Sequence, residues 1–165
     1  RFMEDVYEQF LAVNEQEADC MMQSGNMNEA DREEFIQEFS NPRGKSLAAF
    51  CVLGGIFSEG IDLKEDLLIG VLIVGTGLPQ ICNQREILKE YYQGFDYAYQ
   101  YPGMNKVLQA AGRVIRTASD RGIIGLLDER FLRSDYRQLF PREWSQYEVH
   151  TLDSLPEALE AFWKK

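Results

Sequence analysis

The sequence predicts an α/β fold, a parallel sheet with helices on both faces. Three observations carry this. Three short apolar runs, SLAAFCVL (46–53), IGVLIV (69–74) and GIIGLL (122–127), show no in–out alternation, which predicts strands buried on both faces. Helical patterns separate them. A glycine-rich segment, GGIFSEGIDL (54–63), directly follows the first run, where open parallel sheets bind ligands.

The elements follow in order. Phe2, Val6, Phe10 and Val13 recur at helical spacing and predict an amphipathic helix over 2–14. The chain thus opens inside an element and carries no initiator Met, the expectation for a fragment of a longer protein. DCMMQ (19–23) reads as a short strand. Asn28 with Asp31 three residues on is a capping pattern, and Phe35, Ile36 and Phe39 give the helix behind it an apolar side. Asn41-Pro42-Arg43-Gly44 breaks that helix. Further helices are expected at 82–93, 104–118 and near 130–139, then a strand at 147–151. Ser154 starts a closing helix that ends in Phe162-Trp163. With 165 residues and no internal boundary, a single domain over 1–165 is expected.

Composition narrows the function classes. Apolar residues make up 45% and charged residues 27%, an ordinary globular balance. The longest apolar stretch, LLIGVLIVGTGLP, has thirteen residues and three glycines, too short for a membrane span of about 20. No signal peptide opens the chain. Three cysteines, Cys20, Cys51 and Cys82, form no CxxC pair, against a disulfide framework or a cysteine zinc site. A reduced, cytoplasmic setting without a membrane partner is the expectation. His150, the only histidine, reads as structural, and one histidine leaves a small-molecule enzyme without a nucleophile–base pair. Net charge is −10, but residues 1–40 hold eleven acids and two bases, while 103–142 hold eight bases and four acids. The average conceals a basic second half.

Two segments carry chemistry. In GGIFSEGIDL, Gly54, Gly55 and Gly60 permit a tight bend and close approach to a ligand, with Ser58, Glu59 and Asp62 as polar groups. In KVLQAAGRVIR (106–116), winding at about 100° per residue puts Lys106, Gln109, Arg113 and Arg116 within an arc of about 80°. Such a stripe of cations suits a polyphosphate. Gly112 in mid-helix costs about 1 kcal/mol relative to Ala, so a close-packed neighbour is expected there.

These residues resemble a known family. GGIFSEGIDL resembles motif V, and QAAGRVIR resembles motif VI (QxxGRxxR), of superfamily 2 helicases. FSEGIDL, GLPQ, YPGMNKVLQAAGRVIRTASDRG and DERF are similar to the DinG and xeroderma-pigmentosum-group-D branch, most densely over 46–133. The resemblance implies a RecA-like fold of the P-loop NTPase type and a place as the second, C-terminal motor domain of an ATP-dependent DNA helicase. It implies that Arg113 and Arg116 act as arginine fingers on the γ-phosphate, with Gln109 near that phosphate or the attacking water. It implies that Gly60, Asp62 and Glu59 belong to the nucleotide side of motif V, and that Ser58 and Gly55 meet DNA. ATP and Mg²⁺ would be held mainly by a first RecA-like domain, because no GxxxxGK[ST] and no DEAH-type box occurs in this chain. The family's iron–sulfur cluster belongs to that first domain also. The implied partners are therefore the first domain and single-stranded DNA, with 5′-to-3′ movement. The alternative is a helicase-fold regulatory or interaction module without activity.

Overall fold

The computed structural model describes residues 1–15, 17–55, 68–115, 117 and 120–164. The described residues group into two compact units, 1–131 and 132–165.

The first unit opens with helix α1 (Phe2–Val13), followed by strand β1 (Ala18–Met22). Helix α2 (Glu29–Gln37) starts as its sequence predicts. The Asn28 side chain accepts from the Asp31 N–H at 3.0 Å, and the Asp31 carboxylate accepts from the Asn28 N–H at 2.9 Å. This reciprocal cap satisfies two of the helix's orphan donors. A 3₁₀ turn (Glu38–Ser40) ends it ahead of Pro42, and strand β2 (Ser46–Phe50) follows. β1 and β2 are parallel, in register from Ala18↔Ser46 to Met22↔Phe50, with α2 in the crossover. Tyr7 and Phe10 of α1 set their rings edge-on to Phe50, at 5.2 and 5.4 Å. Phe35 of α2 is buried with Met21, Ala49 and Leu68 around it. Both helices thus contact this strand pair, α2 through Phe35 and α1 through Tyr7 and Phe10, while Phe2, Val6 and Val13 of the predicted stripe are exposed.

Strand β3 (Gly70–Val74) pairs in parallel with β4 (Ile123–Leu127), from Gly70↔Ile123 to Val74↔Leu127. Their crossover holds helix α3 (Asn83–Tyr91), a π-helical turn (Asp96–Gln100) and helix α4 (Tyr101–Ala111). The parallel pairing and intervening helices are the architecture expected of a RecA-like α/β domain. Ile73, Ala98, Tyr99, Met104, Val107, Ala111 and Val114 are buried along this crossover.

Three expectations are corrected. β3 is not buried on both faces within the described residues: Leu72 is 67% exposed and Val74 52%, with Leu127 beside Val74 at 47%. An uninterrupted apolar run does not distinguish a doubly covered strand from one covered on a single side. Next, α4 starts at Tyr101 and ends at Ala111, rather than running over 104–118. Finally, residues 147–151 form no strand. Tyr147 instead packs its ring against Phe140 at 5.8 Å.

In the second unit a 3₁₀ turn that begins at Glu129 in the first unit leads into the one-turn helix α5 (Ser134–Arg137). A 3₁₀ turn (Arg142–Gln146) and helix α6 (Leu155–Trp163) follow. Together with the first turn, α5 stands where one helix near 130–139 was expected.

Candidate nucleotide and nucleic-acid site

The site is built at the carboxyl ends of β2 and β3, against the first turns of α4. Beyond β2 the chain bends at Gly54, whose φ of +78° favours glycine. Gly55 closes the turn by donating its N–H to the Val52 carbonyl at 3.0 Å. Gln23, just past β1, braces the bend from the other strand, accepting from the Val52 N–H at 2.9 Å. Lys106 of α4 lies across this bend. A Cβ placed on Gly54 would fall 2.6 Å from the Lys106 Cδ and 2.9 Å from its Nζ. The absence of a side chain at Gly54 thus makes room for the lysine stem, and the ammonium makes no ion pair among the described residues.

Beyond β3 the backbone turns through Gly75 and Gly77, with φ of +81° and +66°. Gly77 then meets Gly103 of α4 backbone to backbone. A Cβ on Gly77 would lie 2.7 Å from the Gly103 carbonyl oxygen; one on Gly103 would lie 2.7 Å from the Thr76 carbonyl oxygen. Two glycines opposite each other let strand loop and helix approach more closely than any side chain allows. Thr76, next to Gly77, is 1% exposed, and its hydroxyl has no hydrogen-bond partner among the described residues. Behind this contact, Tyr99 of the π turn donates its hydroxyl to Glu86 of α3 at 2.5 Å. That bond and burial push Tyr99 up to about 12, while the Tyr99 hydroxyl and the Lys89 ammonium hold Glu86 below the usual carboxylate range. Arg85 donates to the Ala98 carbonyl at 2.7 Å, tying α3 to the same turn.

The residues singled out by sequence fall as follows. Gln109 is exposed on the last turn of α4. Arg113 is half-buried, but not on the helix. The Gly112 N–H still reaches the Leu108 carbonyl, four residues back, at 2.9 Å. The Arg113 and Val114 N–H groups instead reach Ala110 and Ala111, three residues back, at 3.2 and 3.1 Å. This tightening satisfies terminal carbonyls, and it advances each residue by about 120° instead of about 100°. The predicted arc therefore describes Lys106 and Gln109 on the helix, with Arg113 swung from it on a turn. Among the described residues Gly112 has no close-packed neighbour from another element: a Cβ there would meet the helix's own Leu108 and Gln109 carbonyl oxygens, at 3.2 and 3.9 Å. Arg116, Ser58, Glu59, Gly60 and Asp62 lie outside the described residues.

Sequence reasoning passed over Thr76, Gly77 and Gly103. The signal was the spacing of Gly75-Thr76-Gly77, two glycines in three residues directly after the apolar run 69–74. Past β4, Asp128 takes the Arg130 guanidinium through Nε at 2.8 Å and Nη2 at 2.7 Å, and the arginine lowers its pKa. Among the described residues no three His, Cys, Asp or Glu side chains gather as a metal site, and no helix is long and apolar enough to cross a membrane.

The sequence is similar to known proteins. Residues 1–147 match the helicase C-terminal domain family. The chain is 33% identical over 139 residues to the regulator of telomere elongation helicase 1 homolog of Caenorhabditis briggsae, covering 76% of this chain and 14% of that protein. It is 33% identical over 116 residues to the general transcription and DNA repair factor IIH helicase subunit XPD of Schizosaccharomyces pombe, covering 66% and 14%. It is 34% identical over 131 residues to the ATP-dependent DNA helicase DDX11 of Danio rerio, covering 70% and 14%. The chain therefore spans about a seventh of the length of these relatives.

Proposed function

Because the chain belongs to the helicase C-terminal domain family, in its DinG branch, we propose that it is the second motor domain of an ATP-dependent DNA helicase. It closes on a nucleotide held by a first RecA-like domain. The observation that carries this is the convergence of the motif V bend and the motif VI helix, with Lys106 across Gly54 and Gly103 seated on Gly77.

The mechanism follows from where charge develops. In phosphoryl transfer, negative charge gathers on the oxygens of the transferring group, and a cation brought across a closing cleft stabilises it. Arg113 and Arg116 are assigned that role, with Gln109 placing the γ-phosphate or the water. Gly60, Asp62 and Glu59 are assigned to the nucleotide side of motif V, and Ser58 and Gly55 to the backbone of single-stranded DNA. Each cycle of closure and release moves the domain along the strand. A magnesium ion would be held mainly by the first domain and would supply charge neutralisation to the phosphates.

Two experiments test this. In the whole protein, Arg116→Ala is expected to lower ATP turnover about 10³-fold with ATP binding nearly intact, since a finger acts mainly in the transition state. Arg116→Lys does not rescue, because lysine lacks the planar fork. A lysine variant that keeps most of the activity would make Arg116 a surface charge. The 165-residue chain alone, without a P-loop, is expected not to hydrolyse ATP with or without single-stranded DNA. Turnover within about tenfold of an intact helicase would defeat that expectation.

A further inference from the structure

The second unit carries a cavity of about 470 Å³ between α5 and the 3₁₀ turn that follows it. Its size lies within the range of about 300–1,000 Å³ typical of ligand sites. The local fold explains its composition. A 3₁₀ helix has three residues per turn, so positions three apart eclipse one another. Pro141, Trp144 and Tyr147 follow that spacing, linked by the Trp144 N–H to the Pro141 carbonyl at 3.0 Å and the Tyr147 N–H to the Trp144 carbonyl at 3.3 Å. Phe140 holds the column edge-on, 5.3 Å from Trp144 and 5.8 Å from Tyr147. Arg137 of α5 sets its guanidinium 5.5 Å from the centre of the Tyr147 ring, and Arg142 enters from the turn.

The charge is one-sided. Two arginines line this cavity and no carboxylate does, among the described residues. Arg133, close by, is paired with Asp135 at 3.0 Å, whereas Arg137 and Arg142 form no ion pair among the described residues. In a chain of net charge −10, that is a local reversal of sign. Guanidinium groups with aromatic rings at an open mouth combine phosphate capture with base stacking, the chemistry of single-strand binding. A peptide without acidic groups would draw on the rings alone and leave both guanidinium groups desolvated without anions, whereas a nucleic-acid strand brings a phosphate and a flat base together.

We propose that the cavity framed by Arg137, Arg142, Trp144 and Tyr147 is a second contact point for single-stranded DNA, separate in sequence from motifs V and VI. It takes phosphate on the arginines and a base against the rings. This rests on the reading that the chain works on single-stranded DNA. Contacts of this kind are indifferent to base sequence.

The experiment uses Trp144 as its own reporter. Trp163→Phe leaves Trp144 as the one tryptophan of the chain. Oligothymidylate is titrated into that variant while emission is followed, and anisotropy of a labelled oligothymidylate follows binding by the unaltered chain. The expected result is saturable quenching of Trp144. The double variant Arg137→Ala, Arg142→Ala should weaken binding at least about fivefold in both assays, and the logarithmic salt slope should become shallower by about 0.7 for each phosphate the arginines had neutralised. Both arginines are exposed, so the fold has little at stake; a circular dichroism spectrum unchanged from the parent verifies that. If the oligonucleotide binds but Trp144 emission and the double variant are indifferent, the strand runs elsewhere. The inference then fails and the motor-domain reading stands. If thymidine monophosphate or inorganic phosphate matches the oligonucleotide at equal concentration, the cavity is a small-phosphate site and the strand assignment fails. If no oligonucleotide binds the chain at all, the inference fails, and the Arg116 variants judge the motor-domain reading separately.

Discussion

At its first turn α4 is pressed backbone-to-backbone against the loop after β3, through Gly103 on Gly77. At its last turn the same helix is open. Gly112 is exposed, Gln109 is exposed, and the chain tightens into a turn that carries Arg113 off the helix. Both ends contain a glycine, in unlike settings. At Gly103 no side chain fits. Gly112 caps the helix in an ordinary right-handed conformation that any residue can adopt. The difference is between two ends of one helix: one is fixed to the loop after β3, and the other leaves the Gln109 amide exposed and hands the chain to a turn.

The largest expected effect comes from filling the closed end. Gly103→Ala puts a methyl 2.7 Å from a backbone oxygen that has nowhere to go, and overpacking of this kind costs about 2 kcal/mol. Chemical denaturation measures it. A loss under about 0.5 kcal/mol would mean that loop and helix part easily, and the contrast between the ends would collapse.

The second effect is a pH dependence at the same end. Glu86 is depressed in the folded chain, chiefly by the Tyr99 hydroxyl and then by Lys89, so its contribution is present above the ordinary value of 4.5. That contribution is lost as pH falls through the lowered value. Tyr99 is raised, so its contribution is complete below 10 and is lost as pH climbs toward about 12. Glu86→Gln should flatten both limbs of a melting-temperature profile. Limbs unchanged from the parent would show that the Tyr99–Glu86 bond does not hold the π turn.

The smallest effect belongs to the open end. Gly112 has an ordinary right-handed conformation, so Ala is compatible and should stabilise by about 0.5 kcal/mol through the unfolded chain. Destabilisation by more than about 1 kcal/mol would reveal a neighbour at that end after all.

What could be read from sequence divides along the same line of local against distant causes. The Asn28–Asp31 cap, α1 and the positions of the four short strands follow from neighbours within a few residues, and all were legible. The end of α4 was not. Val114 and Ile115 keep the apolar period going past Gly112, while the hydrogen bonds have already shifted from four residues back to three. The Gly77–Gly103 contact joins residues far apart in sequence, and periodicity does not report on such a pair. For the candidate site, motif spacing named Gln109, Arg113 and Arg116 as a set, but the turn that redirects Arg113 is a property of the backbone.

The uncovered side of β3 has a practical consequence. Leu72 leans over Gly125, and with Val74 and Leu127 it makes an apolar strip facing outward. At neutral pH the net charge of −10 keeps copies apart by repulsion. The sequence isoelectric point is about 4.6, and near it that repulsion vanishes while the strip remains. The chain is therefore expected to have a solubility minimum in mildly acidic buffer, at a pH where Glu86 and Asp128, both held below the usual carboxylate range, still keep their charge. Turbidity there reports colloidal association, and an acid titration of this molecule reads as unfolding only when light scattering is followed alongside.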